Sequence, residues 1–245
     1  MKQPAPPHAP LLDYYAAPEA RSGFVRDLFN RTAESYDGIN AAFAMGSGPW
    51  YRRRALRQAG LAPGARMLDV AIGTGLVARE AAAILGGTQG LVGLDLSEGM
   101  LAVARRQLGL TLVQARAEAL PFAAASFDFV SMGYALRHVA DLGALFGEFR
   151  RVLRPGGRVL VLEIARPEGR LAHALLRGYM GAVVPALSRI SGRESATLMR
   201  YYWDTIEACV PPAEIMAGLA RAGLAEVGCV TELGMMRAYS ARCAA

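Results

Sequence analysis

The chain has 245 residues, of which 53% are hydrophobic and 20% charged, so it carries ample material for a buried core and is no disordered polymer. One α/β domain with decorations accounts for that length. The 27 Lys and Arg outnumber the 21 Asp and Glu to give +6, but nearly all the cations are arginines scattered along the chain, which describes a solvated surface better than a nucleic-acid face.

Met1 to Pro18 is rich in proline and alanine without periodicity, and a single Lys2 followed by four prolines leaves no apolar run for a secretion signal. Residues 1–20 are therefore expected to form a mobile tail, and 21–245 a single domain. From Ser22, which has the chemistry of an N-cap, Phe24, Leu28, Thr32 and Tyr36 recur at helical spacing. A second helix is expected over Trp50 to Gln58, ending at Gly60, so that residues 21–60 make an N-terminal helical cap. Arg66 to Ala71 reads as a buried strand that runs into a glycine-rich turn, and Leu76 to Leu85 as a helix closed by Gly86-Gly87. Leu91 to Asp95 is a second strand, with Ser97 capping a helix that reaches about Leu108. The longest charge-free stretch, Ala81 to Leu94, is interrupted by Gly86-Gly87-Thr88-Gln89-Gly90 and falls short of the roughly 20 apolar residues that a membrane helix needs. Further strands are expected at Leu110–Ala115, Phe127–Met132 and Arg158–Ile164, with a helix over Asp141–Leu153 stopped by Pro155-Gly156-Gly157. Residues 167–208 break the rhythm and read as a helical insert over the sheet. A helix at Pro212–Ala222 and two strands, Leu224–Val230 and Met235–Cys243, close the chain. The alternation predicts an α/β, Rossmann-like fold: a mostly parallel seven-stranded sheet, helices on both faces, and a closing antiparallel strand. Cys209, Cys229 and Cys243 lie far apart without metal-ligand spacing, which suits a reduced, cytoplasmic compartment and no metal site.

The first strand feeds Asp69-Val70-Ala71-Ile72-Gly73-Thr74-Gly75 into a helix. Glycines at 73 and 75 let a cofactor approach the backbone, and the helix start offers unpaired N–H groups. Asp95 stands at the end of the next strand, twenty residues beyond Gly75, where a carboxylate can accept both hydroxyls of a ribose. Gly73-Thr74-Gly75-Leu76-Val77-Ala78 also satisfies the dinucleotide fingerprint, which keeps an NAD oxidoreductase open at this point. Asp69 favours S-adenosylmethionine instead, since a carboxylate there welcomes an ammonium and repels a pyrophosphate.

Several segments carry a resemblance. Tyr36-Asp37-Gly38-Ile39-Asn40 followed by Trp50 or Tyr51 is one; Arg151-Val152-Leu153-Arg154-Pro155-Gly156-Gly157-Arg158 ending at Glu163 is another. Between them stand Glu118-Ala119-Leu120-Pro121-Phe122, Ser126-Phe127-Asp128 and Leu136-Arg137-His138-Val139. From about Val25 to Cys243 the chain resembles the ubiquinone/menaquinone biosynthesis C-methyltransferases (UbiE-type), within the class I S-adenosylmethionine-dependent methyltransferases. The resemblance implies S-adenosyl-L-methionine as cofactor, held by Tyr36, Asp69, Ala71, Gly73, Thr74, Gly75, Asp95, Leu96, Met100, Ala117, Glu118 and Gly133. The chain departs from the pattern at Arg116 (usually Asp), Gly133 (Ser), His138 (Asn) and Gly48 (His), and in Tyr201-Tyr202-Trp203-Asp204-Thr205-Ile206, where Asp and Thr replace Glu and Ser.

Methyl transfer from a sulfonium is an in-line displacement that relies on positioning. A hydroquinone-type ring must also lose a phenolic proton, which a cation or a general base assists. Arg137 is expected to supply that cation, with His138 and Asp204 as the other catalytic candidates; Tyr134, Arg137, Met180, Tyr201 and Trp203 are expected to contact the acceptor. The expected partner is a small aromatic or amphipathic acceptor, with peripheral membrane contact and self-association left open and no nucleic acid. O- or N-methylation of a secondary metabolite or phospholipid head group, and a non-catalytic cofactor-binding scaffold, remain the alternatives.

Overall fold

The computed structural model describes residues 5–43, 47–167 and 169–244, without the side chains at 42, 43, 170, 172, 175 and 179–193. Seven strands are formed among the described residues: β1 (Met67–Val70), β2 (Leu91–Asp95), β3 (Thr111–Gln114), β4 (Phe127–Gly133), β5 (Leu153–Ile164), β6 (Leu224–Glu232) and β7 (Met236–Cys243). Their order is β3-β2-β1-β4-β5-β7-β6; β1 to β5 pair in parallel, and β7 runs antiparallel to both β5 and β6. β1 is buried at every position, as a central strand covered on both faces must be. The order reverses between β1 and β4, and a crevice opens beyond their C-terminal ends, where such sheets bind ligands.

The helices are α1 (Arg21–Phe43), α2 (Gly48–Gln58), α3 (Leu76–Leu85), α4 (Glu98–Gln107), α5 (Leu142–Val152), α6 (Arg170–Ala208) and α7 (Pro212–Arg221). One face of the sheet is covered by Leu145, Phe146 and Phe149 of α5 with Ile215 and Leu219 of α7. The other is covered by Tyr51, Ala55 and Leu56 of α2 with Val77, Ala78 and Ala81 of α3. A third apolar cluster joins α1 to α6 through Val25, Leu28, Leu198 and Tyr201. None of the described helices is long and apolar enough to cross a membrane.

Local chemistry sets the element boundaries. Gly86 closes α3 at φ +85°, a conformation that costs glycine little. Ser97 caps α4 by accepting the Met100 N–H at 3.1 Å, and Asp141 caps α5. Two expectations are corrected. Ser22 is not an N-cap, because a short 3-10 turn at Pro18–Ala20 leads straight into α1 at Arg21. α5 ends at Val152, within one residue of the expected Leu153, but Arg154-Pro155-Gly156-Gly157 does not precede the strand: it forms a bulge inside β5, with Leu153 paired with Phe127 and pairing resuming only at Arg158 opposite Phe129.

Residues 5–20, expected as a free tail, are packed against the body. The Leu142 N–H donates to the Ala5 carbonyl at 2.9 Å and the Val210 N–H to the Pro7 carbonyl at 2.8 Å. His8 and Tyr15 are buried. A proline-rich strand cannot use its carbonyls in a helix of its own, and here neighbouring loops take them up.

Candidate active site

The turn after β1 shapes the site. Gly73 has φ +58°, and a Cβ built there would stand in open space, on the wall of a cleft of about 820 Å³. Asp95 borders the same cleft with its carboxylate held by two backbone donors, Gly73 N–H on Oδ2 and Ser97 N–H on Oδ1, each at 2.8 Å. Burial raises its pKa, and those two N–H groups oppose the shift. Ala71, Leu96, Met100, Ala117, Glu118, Gly133 and Tyr36 also lie on the cleft wall.

Three residues of the expected cofactor set lie off that wall. Asp69, 1% exposed, sits between Gly93 of β2 and Ser131 of β4, two residues short of Ala71, where the chain leaving β1 meets the cleft. Its Oδ1 accepts from the Ser131 hydroxyl and its Oδ2 has no partner. Burial pushes its carboxyl up to about 7, with Ser131 opposing the shift and the Asp95 charge adding to it. Thr74 is buried with its hydroxyl donating to Asp37 Oδ1 of α1, and Gly75 is the N-cap of α3. Asp37 is not among the expected site residues: its role is a contact with Thr74, 37 residues on, which only the packing of α1 against the turn brings about. Of the three carboxylates around the turn, Asp95 is the one on the cleft wall, where it can accept from both hydroxyls of a ribose, while Asp37 and Asp69 brace the turn from behind. The residues present therefore fit S-adenosylmethionine. Asp95 would hold the ribose, the Gly73 backbone would lie under the nucleoside, and Ala117 and Glu118 would flank the adenine.

A second apolar cavity, of about 920 Å³, adjoins the first and shares Tyr36, Tyr134 and Tyr202 with it. The Tyr202 hydroxyl donates to that of Tyr36 at 2.8 Å, and burial raises the pKa of all three phenols, Tyr134 to about 12. At neutral pH they are hydrogen-bond donors, not bases. Arg137 borders this pocket at 2% exposure. Its Nε donates to Glu163 Oε2 at 2.7 Å and its Nη1 to Thr205 Oγ1 at 2.8 Å and to the Tyr202 carbonyl at 3.3 Å. Burial works against this guanidinium, yet the Glu163 charge prevails and its pKa rises.

His138 lies on the cofactor-cleft side, stacked against Tyr201 and Tyr202 at centroid distances of 5.4 and 5.6 Å. Neither ring nitrogen has a partner, and burial together with Arg137, Arg21 and His8 holds its pKa well below the imidazole value. It is neutral.

The expectations for α6 need correcting. Asp204 accepts from the Tyr14 hydroxyl and borders neither cavity; Trp203 stacks on His173 at 6.1 Å; Tyr201 is buried against Tyr14 and Phe24. The pocket instead receives Met199, Tyr202 and Ile206, three and seven residues apart on one helical face. Met180 lies outside the described side chains. Two departures gain a reason. A Cβ at Gly133 would come 2.6 Å from Val77 Cγ2, and one at Gly48 would come 2.8 Å from Arg52 Nη1.

The chain matches the ubiE/COQ5 methyltransferase family over residues 16–236. It is 38% identical over 161 residues, 63% of this chain and 64% of the relative, to the demethylmenaquinone methyltransferase of Symbiobacterium thermophilum. It is 36% identical to the ubiquinone/menaquinone biosynthesis C-methyltransferase UbiE of Syntrophotalea carbinolica, covering 82% of this chain and 86% of that one. Its fold is similar to that of the phosphoethanolamine N-methyltransferase 2 of Haemonchus contortus, solved with S-adenosylhomocysteine: TM-score 0.65 at 19% identity, over 90% of this chain and 60% of that one. The fold, the acidic glycine turn and these matches together establish that the chain is an S-adenosylmethionine-dependent methyltransferase and belongs to the ubiE/COQ5 methyltransferase family.

Proposed function

We propose that the chain methylates a ring carbon of a small quinol-type acceptor. The observation that carries this reading is the shared wall: the cleft suited to the nucleoside and the apolar pocket meet at Tyr36, Tyr134 and Tyr202, so an aromatic ring in the second can face a methyl group presented from the first. The printed names of both relatives place them in quinone biosynthesis, and an apolar pocket with few polar groups suits such a ring.

Bound in the cleft, S-adenosylmethionine supplies an electrophilic methyl on sulfur. A ring carbon of the acceptor would take that methyl from the cofactor held by Asp95 and the Gly73 backbone, leaving S-adenosylhomocysteine in the cleft, while the displaced ring proton would pass to water. Tyr36 and Tyr134, protonated at neutral pH, orient the acceptor oxygens by donating hydrogen bonds, while Tyr202 gives its proton to Tyr36. An uncompensated cation on the pocket wall favours the ionised phenol and so raises the electron density of the ring; Arg137, expected in that role, is neutralised by Glu163. His138, neutral and with a free lone pair, can accept a hydrogen bond at the cleft but is too weakly basic to retain a proton. Asp95 and the backbone of the glycine turn fix the ribose, which sets the line of attack. Three cysteines without disulfides agree with a cytoplasmic enzyme.

The test incubates the protein with methyl-labelled S-adenosylmethionine and a reduced demethylated naphthoquinol or benzoquinol. Mass and NMR analysis should find the label on a ring carbon; label on oxygen, or none, overturns the reading.

A further inference from the structure

Arg52, Arg53 and Arg54 follow one another on α2, yet they have different surroundings. Arg53 and Arg54 have side chains 47% and 50% exposed, and they pair with Glu80 and Glu232. Arg52 is 3% exposed and has no carboxylate at ion-pair distance among the described residues. Its Nη2 donates to Asn40 Oδ1 at 3.0 Å, its guanidinium carbon stands 5.8 Å from the centre of the Tyr134 ring, and its buried Nε has no partner. Arg52 borders the apolar pocket, as Arg137 does. The two cations differ in balance: Arg137 is neutralised by Glu163, whereas among the described residues Arg52 meets a neutral amide and an aromatic face. A buried guanidinium with an unfilled donor is unfavourable until an anion arrives, and its planar fork matches a charged oxygen. The absence of a side chain at Gly48 leaves the space that the guanidinium fills.

We infer that Arg52 is the anion-recognition residue of the acceptor pocket: it receives a negatively charged oxygen of the acceptor, the phenolate of an ionised ring, and so selects acceptors that carry one. This rests on the reading of a phenolic acceptor and adds the residue that distinguishes its ionised form. Arg52 is a binding residue for the acceptor oxygen, while Arg137, held by Glu163, completes the wall.

The test uses 4-nitrophenol, whose ionised form absorbs at longer wavelength, added to protein saturated with S-adenosylhomocysteine. In the wild type the bound probe should ionise at least one pH unit below the free probe, a preference of tenfold or more for the anion. R52M and R52Q should lose that preference while keeping wild-type affinity for S-adenosylhomocysteine, and R52K should retain part of it. A wild type without the shift, or either neutral variant within twofold of the wild type, overturns the assignment. The quinol reading fails in a different way, by absence of ring methylation with the nitrophenol shift intact, so the two failures are distinguishable.

Discussion

Arg137 and Glu163 join the turn after β4 to the C-terminal part of β5 through an ion pair of 2.7 Å, with both side chains within 3% of complete burial. Neither charge can turn to water, so each depends on the other. The Arg137 carbonyl in turn accepts from Arg21 of α1, whose guanidinium also reaches His8 Nε2 of the N-terminal segment, so the pair also anchors the helical cap.

Replacing Glu163 by Ala should therefore destabilise the fold by about 3–5 kcal/mol, because the guanidinium is left buried without its partner. Urea unfolding measures this. The double variant Glu163→Ala, Arg137→Met should recover most of the loss in stability while remaining slow in turnover. If the single variant is as stable as the wild type, Arg137 does not depend on the pair.

Asp95→Ala removes the proposed ribose acceptor together with the carboxylate that holds Gly73 N–H and Ser97 N–H. Affinity for S-adenosylhomocysteine should fall at least tenfold, about 1.4 kcal/mol. Asp95→Asn, which keeps one acceptor oxygen, should lose less. Titration calorimetry reads both, and unchanged affinity removes Asp95 from the binding set.

The glycine turn and its acid were legible in the sequence because their signal is local. Strand, turn, helix and Asp95 follow one another within 29 residues, and each boundary has its own chemistry in Gly75, Gly86 and Ser97. The acceptor side was not. Within α6 a single helical phase decides whether Tyr201, Tyr202 or Trp203 faces the pocket, and three adjacent aromatics give no phase. Arg52 is hidden in a run of three arginines that reads as a solvated face until tertiary packing buries one of them. The N-terminal segment has no periodicity to read, because isolated anchors such as His8 and Tyr15 hold it in place.

Two histidines, the buried His8 and the half-buried His138, give pH dependence a definite sign. His8 and His138 are both held below the ordinary imidazole value, His8 by burial and then by Arg21, and His138 by burial and then by Arg137, Arg21 and His8. The unfolded chain thus binds these protons more readily, and their contribution to stability is present above about pH 6.5 and lost as pH falls below it. Asp69 has the opposite sign, since its folded pKa is raised to about 7 and its contribution is lost as pH rises toward that value. The histidine part is isolated by comparing the wild type with His8→Gln and His138→Gln from pH 5 to 8. Each variant should lose less stability than the wild type on acidification; parallel curves would show that the imidazoles are not responsible.

Gly48→Ala separates stability from recognition. Alanine is a better helix former than glycine, and the φ of Gly48, the first residue of α2, lies outside the left-handed region, so the backbone accepts the change. The new Cβ would stand 2.8 Å from Arg52 Nη1, and the flexible end of that side chain must move aside. The fold should be as stable as the wild type or more so, with S-adenosylhomocysteine affinity unchanged. The KM for the quinol acceptor should nevertheless rise severalfold, because the displaced guanidinium no longer meets the acceptor oxygen. An unchanged KM would mean that the position of Arg52 is immaterial to acceptor binding, and thermal unfolding together with acceptor kinetics on one purified variant decides the matter.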